Sequence, residues 1–83
     1  MQPTAATPEL HHAHELYAAR LLRLPEVQRL TGLGRSSVYD LIAAGRFPRP
    51  VALTSSARAW VEVEVLQFVA ARIAARDAQG GAA

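Results

Sequence analysis

The sequence contains no cysteine, which excludes a disulfide scaffold and a thiolate metal site. It also contains no apolar run of membrane-spanning length. Its first residues, MQPTAATPELHH, lack the basic start and the apolar stretch of a signal peptide. These absences predict a soluble, cytoplasmic protein that does not use a membrane. The 83 residues suffice for one domain with a small core.

Lysine is absent as well, so that all nine basic residues are arginine. Residues 20–58 contain seven arginines and two acidic residues, a net charge of +5, whereas the remainder of the chain carries −3. A basic middle between acidic ends is typical of a polyanion-binding face, and arginine suits bidentate contacts with phosphate and guanine. GC-rich coding, which raises arginine and alanine usage together, is an equally good explanation of the composition.

Both ends of the chain are predicted to lie outside the folded domain. Residues 1–8, MQPTAATP, are small, polar and proline-containing, which predicts a disordered tail. Residues 9–20 are good helix formers, with Leu10, His14 and Tyr17 near helical spacing, and they predict an N-terminal helix. The apolar residues 21–24 predict a brief strand or an extended lead-in. Residues 77–83, DAQGGAA, are predicted to form a second disordered tail.

Two short helices with a glycine-containing turn between them are predicted in the middle of the chain. Proline at the first helical position, Pro25, starts the first helix, and Gly32 ends it. The second helix is predicted from Gly34 and Arg35 to about Ala44, with Gly45 as its stop. This order is that of a helix-turn-helix. The predicted shared core consists of Val27, Leu30, Val38 and Leu41.

The second half of the domain predicts a hairpin and a third helix. The segment F47-P48-R49-P50 cannot be helical and predicts a fixed bend packed on the core. Residues 51–53 and 57–60 predict two strands around T54-S55-S56, with Trp60 as a core anchor. Helical spacing then continues from Val61 to about Arg76. The predicted fold is therefore mainly α with a small β-hairpin, a winged helix-turn-helix domain over residues 21–76.

The first turn of the second helix has the side chains that double-stranded DNA needs. In a helix-turn-helix this turn meets base edges in the major groove, and a helix N-terminus attracts phosphate. Arginine can bind guanine, and serine can donate to phosphate. Asp40 could accept from a cytosine amine, or orient Arg35 or a neighbouring arginine. The blander alternative is a helical hairpin with solvated arginines. The candidate DNA-binding residues are Arg35, Ser36, Ser37, Tyr39, Asp40, Arg46, Arg49, Ser55, Ser56 and Arg58.

The sequence favours neither metal binding nor catalysis. The histidines 11, 12 and 14 lack i, i+4 spacing and have no supporting carboxylate cluster. Gly32-Leu33-Gly34 is not a phosphate-cradling motif after a strand. Glu62 and Glu64, two apart near a helix start, point in different directions. We therefore expect no catalytic residue, no metal and no cofactor.

Four segments give the chain a family resemblance. They are L22-R23-L24-P25-E26-V27, T31-G32-L33-G34-R35-S36-S37-V38-Y39, G45-R46-F47-P48-R49-P50-V51, and W60 followed by E64-V65. Over residues 21–76 the chain resembles the AlpA family of phage and prophage regulators, which is similar to excisionases and to the DNA-binding part of MerR-type regulators. It departs from the family pattern at Gly34, often serine there, at Asp40, often basic, and in the hairpin turn, which usually has glycine and more positive charge.

The resemblance implies a small winged helix-turn-helix DNA-binding protein, either a transcriptional regulator of integrase-type genes or an excisionase. Its DNA-reading helix would be Arg35–Ala44 and its wing Val51–Trp60, with an integrase as a further partner. Because one such domain is small for a specific interface, we expect a homo-oligomer or cooperative assembly on DNA. The alternative function is a protein-interaction adaptor or antitoxin-like module that uses the same helices.

Overall fold

The computed structural model describes residues 19–80, which form three helices and a small antiparallel sheet. The elements are β1 (Leu21–Leu22), α1 (Leu24–Thr31), α2 (Arg35–Ala43), β2 (Val51–Ala52), β3 (Arg58–Val61) and α3 (Glu62–Ala78). The predicted class, mainly α with a small hairpin, is confirmed. The predicted tail 1–8 and most of the predicted helix 9–20 lie outside the described residues. Ala19 and Arg20, the end of that predicted helix, are not helical.

The sheet has one strand more than the predicted hairpin. β3 lies in the centre, with β2 paired antiparallel on one side and β1 on the other. Leu22 stands opposite Trp60, and Val51 stands opposite Ala59. The first half of the predicted lead-in, Leu21–Leu22, is thus a strand, whereas Leu24 already belongs to α1. The strand ties the start of the helix-turn-helix to the hairpin.

The hairpin loop closes without glycine because a threonine side chain organises it. The Thr54 hydroxyl accepts hydrogen bonds from the backbone N–H groups of Ser56 (3.2 Å) and Ala57 (3.0 Å). The Leu53 N–H donates to the Ala57 carbonyl at 2.8 Å. Side-chain hydroxyls commonly replace a backbone partner in such turns. The loop is therefore held in shape while its side chains stay exposed.

Helix α1 begins one residue before the predicted start. Arg23 is the extended residue before it, and Pro25 occupies the second helical position rather than the first. At its end Gly32 adopts a left-handed φ of 75°, as predicted, and donates to the Gln28 carbonyl at 2.7 Å. The Thr31 hydroxyl donates to the Val27 carbonyl (2.8 Å) and accepts from the Leu33 N–H (3.1 Å). These bonds fix the turn that leads into α2.

Helix α2 ends in a Schellman motif. Gly45 has a φ of 73° and donates to the Ile42 carbonyl at 3.0 Å. The next N–H, of Arg46, donates to the Leu41 carbonyl at 2.8 Å. Both bonds satisfy carbonyls that the helix end would otherwise leave open. The predicted stop at Gly45 is confirmed.

One small core joins all three helices to the sheet. The buried residues are Leu22, Val27, Val38, Phe47, Trp60 and Val65, with Ala59 buried beside them. Leu41 packs against this cluster, as predicted, but the prediction that Leu30 belongs to the core was wrong. Leu30 is 41% exposed, because the inward face of α1 is formed by Leu24 and Val27 and the helix turns Leu30 to its flank.

Trp60 and Phe47 hold the irregular segment between α2 and β2 against the core. The Trp60 indole N–H donates to the Pro48 carbonyl at 3.1 Å. Phe47 is buried and meets Phe68 of α3 edge to face, with 4.7 Å between the ring centroids. The predicted roles of the proline-rich bend and of Trp60 are therefore confirmed.

Helix α3 extends further than predicted. It continues to Ala78, two residues past the predicted end, so Asp77 and Ala78 are helical and do not belong to the tail. Alanine and arginine are strong helix formers, and Arg76 in the last turn suits the helix dipole. Within residues 19–80 no helix is both long enough and apolar enough to cross a membrane.

Candidate nucleic-acid interface

The start of α2 has several features that favour the binding of an anion. Arg35 is its first residue, and its first turn has no acidic side chain. Gly34 precedes it and supplies no side-chain hydrogen-bond acceptor to the first N–H groups. A helix N-terminus favours negative charge, so an arginine there opposes the helix dipole and weakens the helix slightly. The positive charge and the uncapped N–H groups together suit a phosphate or an electronegative base edge.

Aromatic contacts connect Arg35 to the rigid core. Its guanidinium carbon lies 5.3 Å from the centroid of the Tyr39 ring, a cation–π distance. Tyr39 in turn meets Trp60 edge to face, with 6.2 Å between their ring centroids. Since Trp60 is buried and bonded to the Pro48 carbonyl, this chain of contacts begins at a fixed point. The side chain of Arg35 is thereby held in one region at the surface.

Three arginines from different elements line one cavity, which we call the arginine cavity. Arg23 directly precedes α1, Arg35 is the first residue of α2 and Arg58 is the first residue of β3. The cavity has a volume of about 340 Å³, and its wall also contains Leu24, Pro25, Tyr39, Ser56 and Trp60. Four predicted site residues are therefore brought together here: Arg35, Tyr39, Ser56 and Arg58.

Sequence reasoning missed Arg23. It lies in the short lead-in, where the sequence alone gave no reason to place it beside the hairpin. The pairing of β1 with β3 brings it there, because Leu22 stands opposite Trp60 and the next residue follows toward Arg58. The available signal in the sequence was the pattern Leu22-Arg23-Leu24, in which an arginine stands between two apolar residues just before Pro25.

No acidic side chain within residues 19–80 forms an ion pair with the three arginines of the arginine cavity. Within the described part of the chain, ion pairs join Arg20 to Glu26 (3.2 Å), Arg20 to Glu62 (3.4 Å) and Arg76 to Asp77 (2.8 Å). No described carboxylate forms an ion pair with Arg23, Arg35 or Arg58. All three arginines are exposed, as the arginines of a polyanion-binding surface must be.

Ser36 and Asp40 lie next to the arginine cavity rather than in it. They line a shallow depression on the exposed side of α2 together with Arg35 and Tyr39. No ion pair joins Asp40 to Arg35, whose guanidinium lies over the Tyr39 ring instead. Asp40 is exposed, so its carboxylate is available to a ligand on the outer side of α2.

The other four predicted residues lie apart from the arginine cavity. Ser37 on α2 and Ser55 in the hairpin loop are exposed and do not line it. Arg46 and Arg49 lie around a separate depression beside Phe47, whose other wall contains Glu64 and Gln67 of α3. Glu64 lowers the positive charge of that depression. The ten predicted residues thus divide into four that line the arginine cavity, two that lie next to it and four that lie apart from it.

Comparison with known proteins decides the family. The family profile described as "Prophage CP4-57 regulatory protein (AlpA)" matches residues 20–73. The chain belongs to the AlpA family. It is also 43% identical, over 74 residues, to the uncharacterized protein ORF88 of Enterobacteria phage P4, an alignment that covers 89% of this chain and 83% of the phage protein. The AlpA family is a regulatory family, so the predicted resemblance is confirmed.

The AlpA-family region contains the whole arginine cavity. Residues 20–73 include all ten predicted site residues and Arg23 as well. His11, His12 and His14 lie outside both this region and the described residues, so the structure does not test their prediction. Within residues 19–80, no three potential metal ligands come together.

Proposed function

We propose that this AlpA-family chain is a sequence-specific double-stranded DNA-binding protein, acting as a phage-type transcriptional regulator or as an excisionase. The observation that carries the proposal is the arginine cavity, in which the starts of both helices and the hairpin each contribute one arginine. In a winged helix-turn-helix, these are the parts that approach the DNA together. A small-molecule site usually has a mostly apolar lining, whereas the exposed lining of the arginine cavity is mostly polar.

Different residues would have different tasks in the DNA complex. Arg35 and its neighbours Ser36 and Asp40 lie on α2, the helix that would enter the major groove and meet base edges. Arg23 and Arg58 flank it and would hold phosphates of the adjacent backbone. Ser56, in the hairpin loop, would add a neutral donor. Arg46 and Arg49 would contribute less, because Glu64 lies beside them.

The proposed action needs binding and no chemistry. A DNA-bound regulator recruits or excludes other proteins or bends the DNA, and we propose no enzymatic step, metal or cofactor. A protein that acts on phage-type DNA would work in the cytoplasm. An integrase as partner remains a prediction of the family resemblance.

Selection from random duplexes tests the proposal directly. We expect bound duplexes to converge on one motif, and affinity for that motif to fall with salt with a log–log slope of about −2 to −4, since two to four phosphates are neutralised. Binding that enriches no motif would contradict sequence-specific recognition. If the chain binds a second protein in stoichiometric amount and is not retained on a DNA column at low salt, the adaptor alternative would be favoured instead.

A second assay distinguishes the two regulatory roles. The selected motif is inserted upstream of a reporter gene and, in a separate plasmid, beside an attachment site with its integrase. A regulator changes reporter expression, whereas an excisionase changes the ratio of excision to integration. Substituting Arg35 by alanine should abolish whichever effect is observed.

A further inference from the structure

Helix α3 carries a second apolar stripe that the described core does not use. Its inner side contributes Val65 and Phe68 to the core. On another side, Val63, Leu66, Ala70 and Ile73 follow one another at intervals of three and four residues, and we call them the outer stripe. All four are exposed, with Val63 at 52%, Leu66 at 45% and Ile73 at 47%. Alternating intervals of three and four are how one helix meets another in a coiled coil.

The outer stripe lies away from the DNA-reading helix. Phe68, Ala71 and Arg72 form the side of α3 that borders a groove with Leu33 and Leu41. At about 100° per residue, the outer stripe falls on the opposite side of the helix from these three. A partner on the outer stripe would therefore leave α2 and the arginine cavity open.

The distribution of charge along α3 favours a second copy of this chain as the partner and an antiparallel orientation of the two helices. Glu62 lies in its first turn and Arg76 in its last, both on the same flank of the outer stripe, whereas Glu64 and Arg72 lie on other sides of the helix. Two copies that run in opposite directions place acidic ends beside basic ends, and two parallel copies place like charges together. We propose that the outer stripe binds the outer stripe of a second copy of this chain, with the two α3 helices antiparallel.

The proposal fixes which residues meet. In an antiparallel pair the stripe positions follow each other in reverse order, so Val63 meets Ile73 of the partner subunit and Leu66 meets Ala70 of the partner subunit. Glu62 then lies beside Arg76 of the partner subunit at both ends of the pair, where this contact would compete with the exposed ion pairs Arg20–Glu62 and Arg76–Asp77. Such a two-fold arrangement uses the same patch on both copies.

The association should be weak on its own. Four apolar positions are about half the length at which coiled-coil patterning becomes strong, and the contact is smaller than a standard protein interface. Two copies on neighbouring DNA half-sites would be held at a high effective concentration, which would make the same contact significant. The inference itself rests on α3 alone and can hold or fail whether or not the chain binds DNA.

Single cysteines test both the contact and its direction, because the sequence has none of its own. We expect a mixture of Val63→Cys and Ile73→Cys chains to form a mixed disulfide rapidly under mild oxidation. Each variant alone should form dimers only at the rate of Leu53→Cys, a hairpin-loop residue with 46% exposure. Rapid dimers of Val63→Cys alone would show a parallel pair and overturn the antiparallel proposal.

Sedimentation of charge variants provides an independent test. At about 0.5 mM, well above the micromolar range where small interfaces dissociate, the wild type should contain dimer, Ile73→Asp should be monomeric, and Leu53→Asp should match the wild type. Residues 53 and 73 are matched controls, since their exposures are 46% and 47%. A monomeric wild type with no mixed disulfide would overturn the proposal. The same result would follow, and would equally overturn it, if residues 1–18 covered the outer stripe.

The DNA readout separates this inference from the proposed function. Ile73→Asp should keep its affinity for a single half-site and lose only the cooperative binding to two half-sites. Arg35→Ala should lose DNA affinity and keep the mixed disulfide when combined with the cysteine variants. Dimer formation without DNA binding would uphold the inference and reject the proposed function. DNA binding without dimer formation would uphold the proposed function and reject the inference.

Discussion

Arg23 and Arg35 lie in the same cavity, but their positions in the fold give them different expected tasks. Arg23 precedes α1 and reaches the cavity from the lead-in strand, so it should meet the DNA backbone rather than a base. Phosphate contacts add affinity on every sequence, because the backbone is the same everywhere.

We expect Arg23→Ala to weaken binding to selected and scrambled duplexes by the same factor, about 5- to 10-fold. The log–log slope against salt should become shallower by about 1, as one phosphate contact is lost. Fluorescence anisotropy at several salt concentrations measures both quantities. A loss confined to the selected duplex would show that Arg23 reads a base.

Asp40 is the acidic residue on a helix that would enter a groove lined with phosphates. Its carboxylate is exposed and forms no ion pair with a described arginine, so no fold-stabilising partner explains it. A carboxylate can accept a hydrogen bond from a cytosine amine and repels phosphate everywhere.

We expect Asp40→Ala to change the preferred motif more than the affinity for DNA in general. A repeat of the duplex selection with the variant should show a changed base at one or two positions. Asp40→Asn is the matched control for charge. An equal change in affinity on all sequences would mean that Asp40 reads no base.

At the scale of elements, α2 is defined by two glycines with different requirements. Gly45 has a left-handed φ of 73°, which side chains rarely adopt, whereas Gly34 has an ordinary φ of −79°. An added Cβ meets no atom within 4 Å at either position. Backbone conformation alone therefore separates the effects of substituting them.

We expect Gly45→Ala to lower the free energy of unfolding by about 1 kcal/mol, the cost of a left-handed conformation for a residue with a Cβ. Gly34→Ser should instead leave it unchanged or raise it by a few tenths of a kcal/mol, because serine caps a helix. Urea unfolding followed by the fluorescence of Trp60, the single and buried tryptophan, measures both. Equal losses in the two variants would contradict the account of Gly45.

Capping α2 with a charge should separate stability from DNA binding. Aspartate at position 34 caps as well as serine and also complements the helix dipole. We expect Gly34→Asp to be at least as stable as Gly34→Ser but to bind DNA about 10-fold more weakly, since its carboxylate lies beside Arg35 where a phosphate would bind. Unfolding and anisotropy on the same two samples test this. Equal DNA affinities would show that the start of α2 does not approach the DNA.

At the scale of the whole molecule, local signals predicted the elements better than their arrangement. Gly32, Gly45 and the proline-rich bend set helix ends through their own backbone preferences, and these ends were predicted correctly. The pairing of β1 with β3 is a contact between residues about 40 positions apart, and no local pattern shows it. For that reason Arg23 was missed, although Arg35 beside it was not.

The spatial division of the candidate site was also beyond the sequence. Arg46 and Arg49 were grouped with Arg35 because all are basic and near the helix-turn-helix. The structure places them with Glu64 of α3, a residue that follows them by 15 positions or more. Leu30 shows the same limit for the core, since a helix of eight residues offers several apolar faces and only its packing selects one.

The central claim is that Arg35, at the start of α2, reads DNA sequence. The most direct measurement is the ratio of affinities for the selected and a scrambled duplex, in wild type, in Arg35→Ala and in Arg72→Ala, an arginine outside the arginine cavity. We predict that Arg35→Ala lowers this ratio by about 10- to 100-fold, the worth of one bidentate arginine–guanine contact, and that Arg72→Ala leaves it unchanged. An unchanged ratio in Arg35→Ala, at unchanged stability, would contradict the account.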